Sequence, residues 1–125
     1  MEAGQLLYVL LSTAPDVQAV VGTGIYPVVA PENRARPYVC YQLVSLVPEA
    51  GSSAHCHLGD VARVQLSLYA DTYATLAQLT AAIRGVLDYQ EPEPGVLLEL
   101  DNQQDHHDPD ALCLYRTLDY AVTLP

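Results

Sequence analysis

The chain contains no lysine. Its five basic residues are all arginines, Arg34, Arg36, Arg63, Arg84 and Arg116, set against 15 acidic residues for a formal net charge of −10. Proteins hold phosphate backbones with clustered cations. A chain this acidic repels them, so nucleic acid is not an expected partner, whether read by sequence or held by charge. Long apolar runs are also missing. Nothing approaches the roughly 20 residues of a membrane-spanning helix, and the early run Leu6–Leu11 lacks the basic flank of a secretion signal. The expectation is a protein that stays in the cytoplasm where it is made, with no membrane partner. No CxxC pair occurs. Cys40, Cys56 and Cys113 are an odd, widely spaced set, which reads as reduced thiols, with Cys40 and Cys113 as small apolar fillers in strand-like runs. The glycines of Gly22-Thr23-Gly24-Ile25-Tyr26-Pro27 are not followed by Lys-Ser/Thr, so no phosphate loop is present.

What is present suffices for one domain over residues 1–125, half of it hydrophobic. Leu6, Leu7, Leu10 and Leu11 recur at helical spacing. Pro15 suits the first turn of a second, short helix that ends near Gly22. A short strand is expected around Ile25-Tyr26, then a loop. Tyr38–Val47 reads as a strand with apolar groups on both faces, hence central or partly covered. In 61–71, Ala62, Val64, Leu66, Leu68 and Ala70 alternate with Arg63, Gln65, Ser67 and Tyr69, the pattern of one buried and one wet face. Asp71-Thr72 can cap a helix whose apolar stripe is Leu76, Leu79, Ile83 and Val86/Leu87. Val96–Leu100 is a short strand, residues 101–111 a connection, and Leu112–Leu124 a last strand with apolar even positions. Helix, helix, strands, helix, strands is not the alternation of a doubly wound fold. The expected class is α+β: an antiparallel β-sheet with helices packed on one face.

The densest chemistry is Asp105-His106-His107-Asp108-Pro109-Asp110. Two imidazoles and three carboxylates could be metal ligands. Adjacent histidines point apart on an extended backbone, however, and no second ligand pair stands at a known spacing. Asp108-Pro109-Asp110 is turn chemistry, so the stretch reads as an acidic hairpin connection. His55-Cys56-His57 has the same fault on a Ser/Gly-rich loop. No metal, cofactor or catalytic set is expected. The carboxylates are concentrated late, with nine between Asp88 and Asp119 against Arg116 alone. Arg34 and Arg36 form a small basic island before Pro37, which either pairs with an acidic patch on a neighbouring subunit or is solvated.

Four stretches, in order along nearly the whole chain, resemble one family. They are LLYVLLSTAPDVQAVVGTGIYP, RPYVCYQLVS, ARVQLSLYADTYATLAQLTAAIRGVL and DHHDPDALCLYRTLDYAVTL. Together they are similar to the tail-completion proteins of bacteriophages and prophages, which act like tail terminators in head–tail joining. A typical member has an aromatic or basic residue where His106-His107 stand here. The resemblance implies an α+β fold and a structural, non-enzymatic role in the virion tail, assembled in the host cytoplasm. It implies a homo-oligomeric, six-membered ring that caps the tail tube at its head-facing end, stops tube growth and meets the head connector. The implied partners are the tail tube protein and the head–tail connector protein, with DNA passing through the ring lumen. It brings no catalytic residues. The expected subunit or partner interface is Arg34, Arg36 and Arg63 on one side, with Asp105, His106, His107, Asp108 and Asp110 on the other. Two other readings remain open: a small metal-dependent enzyme using His55, His57, His106 and His107, and a generic protein-interaction adaptor.

Overall fold

The computed structural model describes residues 2–50 and 57–125. His55 and Cys56 lie outside the described residues, and His57 enters by its backbone alone. Among the described residues the order is α1 (Ala3–Ser12), α2 (Pro15–Val21), β1 (Ile25–Pro27), β2 (Tyr38–Ala50), β3 (His57–Ala70), α3 (Tyr73–Leu87), β4 (Leu97–Asp108) and β5 (Cys113–Leu124). The strands form one sheet in the order β1-β2-β3-β5-β4, antiparallel except where β1 runs parallel to β2. The α+β class expected from the sequence is the one observed.

Local chemistry sets the helix ends. Glu2 and Gln5 close a capping box on α1. Pro15 opens α2, and Gly22 ends it at positive φ, where a side chain would be strained. The Thr72 hydroxyl accepts from the Thr75 N–H to start α3. All three helices bury apolar residues against one face of the sheet. Leu7, Leu11 and Val17 meet Leu76, Leu79 and Ile83 above the inward rows of β3 and β5, Val64–Leu66–Leu68 and Leu118–Tyr120–Val122.

Two expectations need correction. The acidic run is not a connection: β4 continues through Asp108, and only the four residues before Cys113 turn. Backbone pairing with β5 needs no apolar side chains, so a strand exposed on both sides leaves no hydrophobic period to read. Strand β2 is partly covered, one of the two outcomes its apolar pattern allowed: Val39 and Cys40 are buried, and the far half is not. Leu43, Val44, Leu46 and Val47 are each about half exposed, because β1 pairs only as far as Tyr41. The second correction is that β3 begins at His57, earlier than the alternation indicated.

Candidate functional surface

Helices cover one face of the sheet, and the other is open. Tyr38, Tyr69, Tyr115 and His106 are direct cross-strand neighbours on that open face, one from each of β2, β3, β5 and β4. Their rings stack in one row: Tyr38 on Tyr69 at 4.9 Å, Tyr69 on Tyr115 at 5.3 Å and Tyr115 on His106 at 4.6 Å between centroids. Tyr26 of β1 extends the row edge-on to Tyr38 at 6.3 Å. Arg34 closes the end, its Nε donating to the Tyr26 hydroxyl at 2.7 Å and its Nη2 to the Val21 carbonyl at 3.2 Å. Gly24 leaves the room this guanidinium occupies. Two residues singled out from sequence for different reasons, Arg34 and His106, therefore end the same aromatic row.

The rings stand against one another, so their faces are taken and their edges point outward. Burial pushes the Tyr38 and Tyr69 hydroxyls above the ordinary tyrosine range, with the Cys40 thiol among the smaller contributions. They remain neutral hydrogen-bond donors. Cys40 and Cys113 are buried free thiols, and burial raises the pKa of Cys40, which keeps it unreactive. Beyond the row the face is mostly amides and hydroxyls. Gln65 donates to Asp119 at 3.0 Å, and Arg63 pairs with Asp101 at 2.8 Å. Arg36 lies beside the row and pairs with Asp71 of its own chain at 2.6 Å. Arg63 sits mid-strand in β3, six residues from Tyr69, so the three interface arginines do not form one patch.

The acidic run divides between faces. His106 turns to the open face, where its Nε2 lies 3.2 Å from the Thr117 hydroxyl. That spacing would suit a base and a nucleophile, but Thr117 is buried and its hydroxyl faces the sheet backbone. Asp105 turns to the helix side and meets Arg116, which is only 4 % exposed. The guanidinium donates to both Asp105 oxygens, at 2.5 and 3.2 Å, to Tyr73 Oη at 2.9 Å and to Thr80 Oγ1 at 2.9 Å. This bond to Arg116 holds the Asp105 carboxyl below its ordinary range. Asp108 closes the following turn by accepting from the N–H groups of Asp110 and Ala111. Among the described residues no three His, Cys, Asp or Glu side chains converge as metal ligands.

Sequence reasoning missed the aromatic row and the Arg116 pin. The first had a signal. Tyr69 falls on the wet face of its strand, and an aromatic there has no place in a core. The arrangement is an open sheet face on which stacked tyrosines, a residue type enriched at protein–protein contacts, stand among amides and hydroxyls.

A family model for tail completion protein gp17 matches residues 5–124. Among solved structures, the chain is similar to one described as the virion of a native gene transfer agent particle. The identity is 21 %, the TM-score 0.75, and the alignment covers 99 % of this chain and 98 % of that one. At that identity the likeness speaks to the fold. No curated protein matches the sequence.

Proposed function

The chain belongs to the tail completion protein gp17 family and is a structural protein of a phage tail, and from that premise we propose that it caps the tail tube at its head-facing end. In this reading copies assemble as a ring in the host cytoplasm, stop tube growth, and present a surface to the head connector in the finished virion. The partners are the tail tube protein, the connector protein and further copies of the chain. The observation that carries the reading is the family match along residues 5–124.

The physical chemistry is compatible. A ring of identical chains needs heterologous contacts that close on themselves. The open face supplies a tyrosine-rich area suited to a protein partner. The arginines make contacts within their own chain, which leaves a net-acidic wall that lets DNA pass the lumen without sticking. Arg34, Arg36 and Arg63, with Asp105, His106, His107, Asp108 and Asp110, are the proposed contact positions. Arg36 and the Asp105–Asp110 segment share one end of the sheet. The role is one of architecture, not catalysis. Removing the gene and imaging the resulting particles tests it. Overlong or unfinished tails that fail to join heads are expected, and normally joined particles would overturn the reading.

A further inference from the structure

The two edges of the sheet are unlike. At one edge, Leu43 and Leu46 of β2 project on the helix side, cross-strand from buried Val64 and Ala62, yet about half of each is exposed. Val28, 65 % exposed, continues the patch, its N–H donating to the Tyr41 carbonyl. From Tyr38 to Pro48 the chain carries no charged residue. At the other edge, a groove of about 300 Å³ opens between the first turns of α3 and strand β4, lined by Tyr73, Leu76 and Leu114 with Asp105, His106 and His107 along its rim. The edges lie three strand spacings apart, roughly 14 Å, so one molecule cannot bring its own apolar edge to its own groove.

We propose that the Leu43–Leu46 edge of one copy seats in the α3–β4 groove of a second copy, joining copies head to tail. This rests on the reading of the chain as a ring-forming tail protein and names the surfaces that meet.

Three observations select a second copy over another occupant. The patches are complementary in kind, an apolar ridge against a cleft with an apolar floor, and both belong to this chain. Being different patches on opposite edges, they propagate as a heterologous contact, the type that builds rings. Charge points the same way. Asp105 on the groove rim is neutralised by Arg116, but the end of β4 and the turn after it add Asp108 and Asp110, so a partner presenting carboxylates beside the groove is repelled. In a chain of net charge −10, the stretch Tyr38–Pro48 is an uncharged surface able to enter. Backbone pairing between edges is disfavoured on both sides, because β4 carries acidic residues and a bulge near Asp101 while β2 carries Pro48 and a bulge near Val44.

The test compares two substitutions that differ in sign at one exposed position, Leu46→Asp and Leu46→Lys, in the full chain. Both remove the apolar contact, and at a half-exposed site both leave the fold intact by circular dichroism. Sedimentation velocity is expected to show loss of the oligomer with Leu46→Asp, which brings a carboxylate beside the acidic end of β4 and its turn. Leu46→Lys is expected to retain association in low salt and lose it in high salt. Equal behaviour of the two variants, or wild-type association by both, would overturn the proposal. A photo-crosslinking side chain at position 46 in assembled particles is expected to label residues 73–76 or 105–107 of another copy. Labelling of a different tail protein would overturn the second-copy assignment while leaving the tail reading intact. Absence of the chain from particles would overturn both.

Discussion

Replacing Asp105 with alanine should destabilise the protein more than replacing Arg116 with methionine, although both break the same ion pair. Arg116 sits under α3 with its side chain 5 % exposed, whereas Asp105 is 48 % exposed. Asp105→Ala leaves a buried guanidinium with only Thr80 and Tyr73 as partners. Removing one member of a fully buried pair costs about 3–5 kcal/mol. Water can reach this pair from the Asp105 side, which lowers the figure to about 2–3 kcal/mol. Arg116→Met removes the charge and much of its desolvation cost together. Thr80 keeps its own donation to the Leu76 carbonyl at 2.8 Å, Asp105 turns to solvent, and the thioether fills the space, for a loss of about 1 kcal/mol. Urea unfolding of both variants and the double variant reads the order from the midpoints at unchanged slope. The double variant should resemble Arg116→Met. The reasoning is refuted if Arg116→Met proves the more harmful, since the guanidinium's own bonds would then outweigh the cost of burying it. The pair also sets an acid limit. Because the folded pKa of Asp105 is depressed by Arg116, its contribution is full above the ordinary aspartate range and is lost as pH falls through the folded value. Asp105→Asn should flatten that acid limb.

Three further outcomes follow from the packing. The Tyr120 hydroxyl is buried and donates to Asp88 at 2.6 Å, and its pKa is raised, first by burial and then by that bond. Its contribution is therefore present below the ordinary tyrosine range and lost as pH rises above it, so Tyr120→Phe should cost about 1–2 kcal/mol at neutral pH and soften base-induced unfolding in a pH-jump melt. Tyr69 stacks on both sides within the aromatic row, so Tyr69→Ala should cost about 2–4 kcal/mol by thermal melting, with Tyr69→Phe nearly neutral. Gly59 has a φ of 125° and faces the Leu124 carbonyl, which a Cβ would strike, so Gly59→Ala should lower stability by about 2 kcal/mol or more in the same assay.

Much of the helix-covered layer was legible in the chain, because its side chains have to repeat with the period of their element. The alternation from Ala62 to Ala70 and the stripe Leu76–Leu79–Ile83 identify a half-buried strand and the helix above it. The exposed elements gave no such signal. From Asp101 to Asp108 backbone pairing alone makes the strand, so polar residues there read as a turn. Arg116 stands at an inward position of β5 where a hydrophobic residue is expected, and its three partners come from β4 and from two turns of α3. No local pattern brings those together. The candidate surface was half legible. Arg34 and His106 were singled out and Tyr69 was placed on the wet face, but their alignment depends on strand order, which puts β5 between β3 and β4.

The central claim is a position: the head-facing end of the tail. Cryo-electron microscopy of particles carrying an epitope on this chain, decorated with its antibody fragment, measures it directly. Density confined to a ring at the junction of tail tube and head is the expected result. Density repeated along the tube, confined to the distal tip, or missing from finished particles would contradict it.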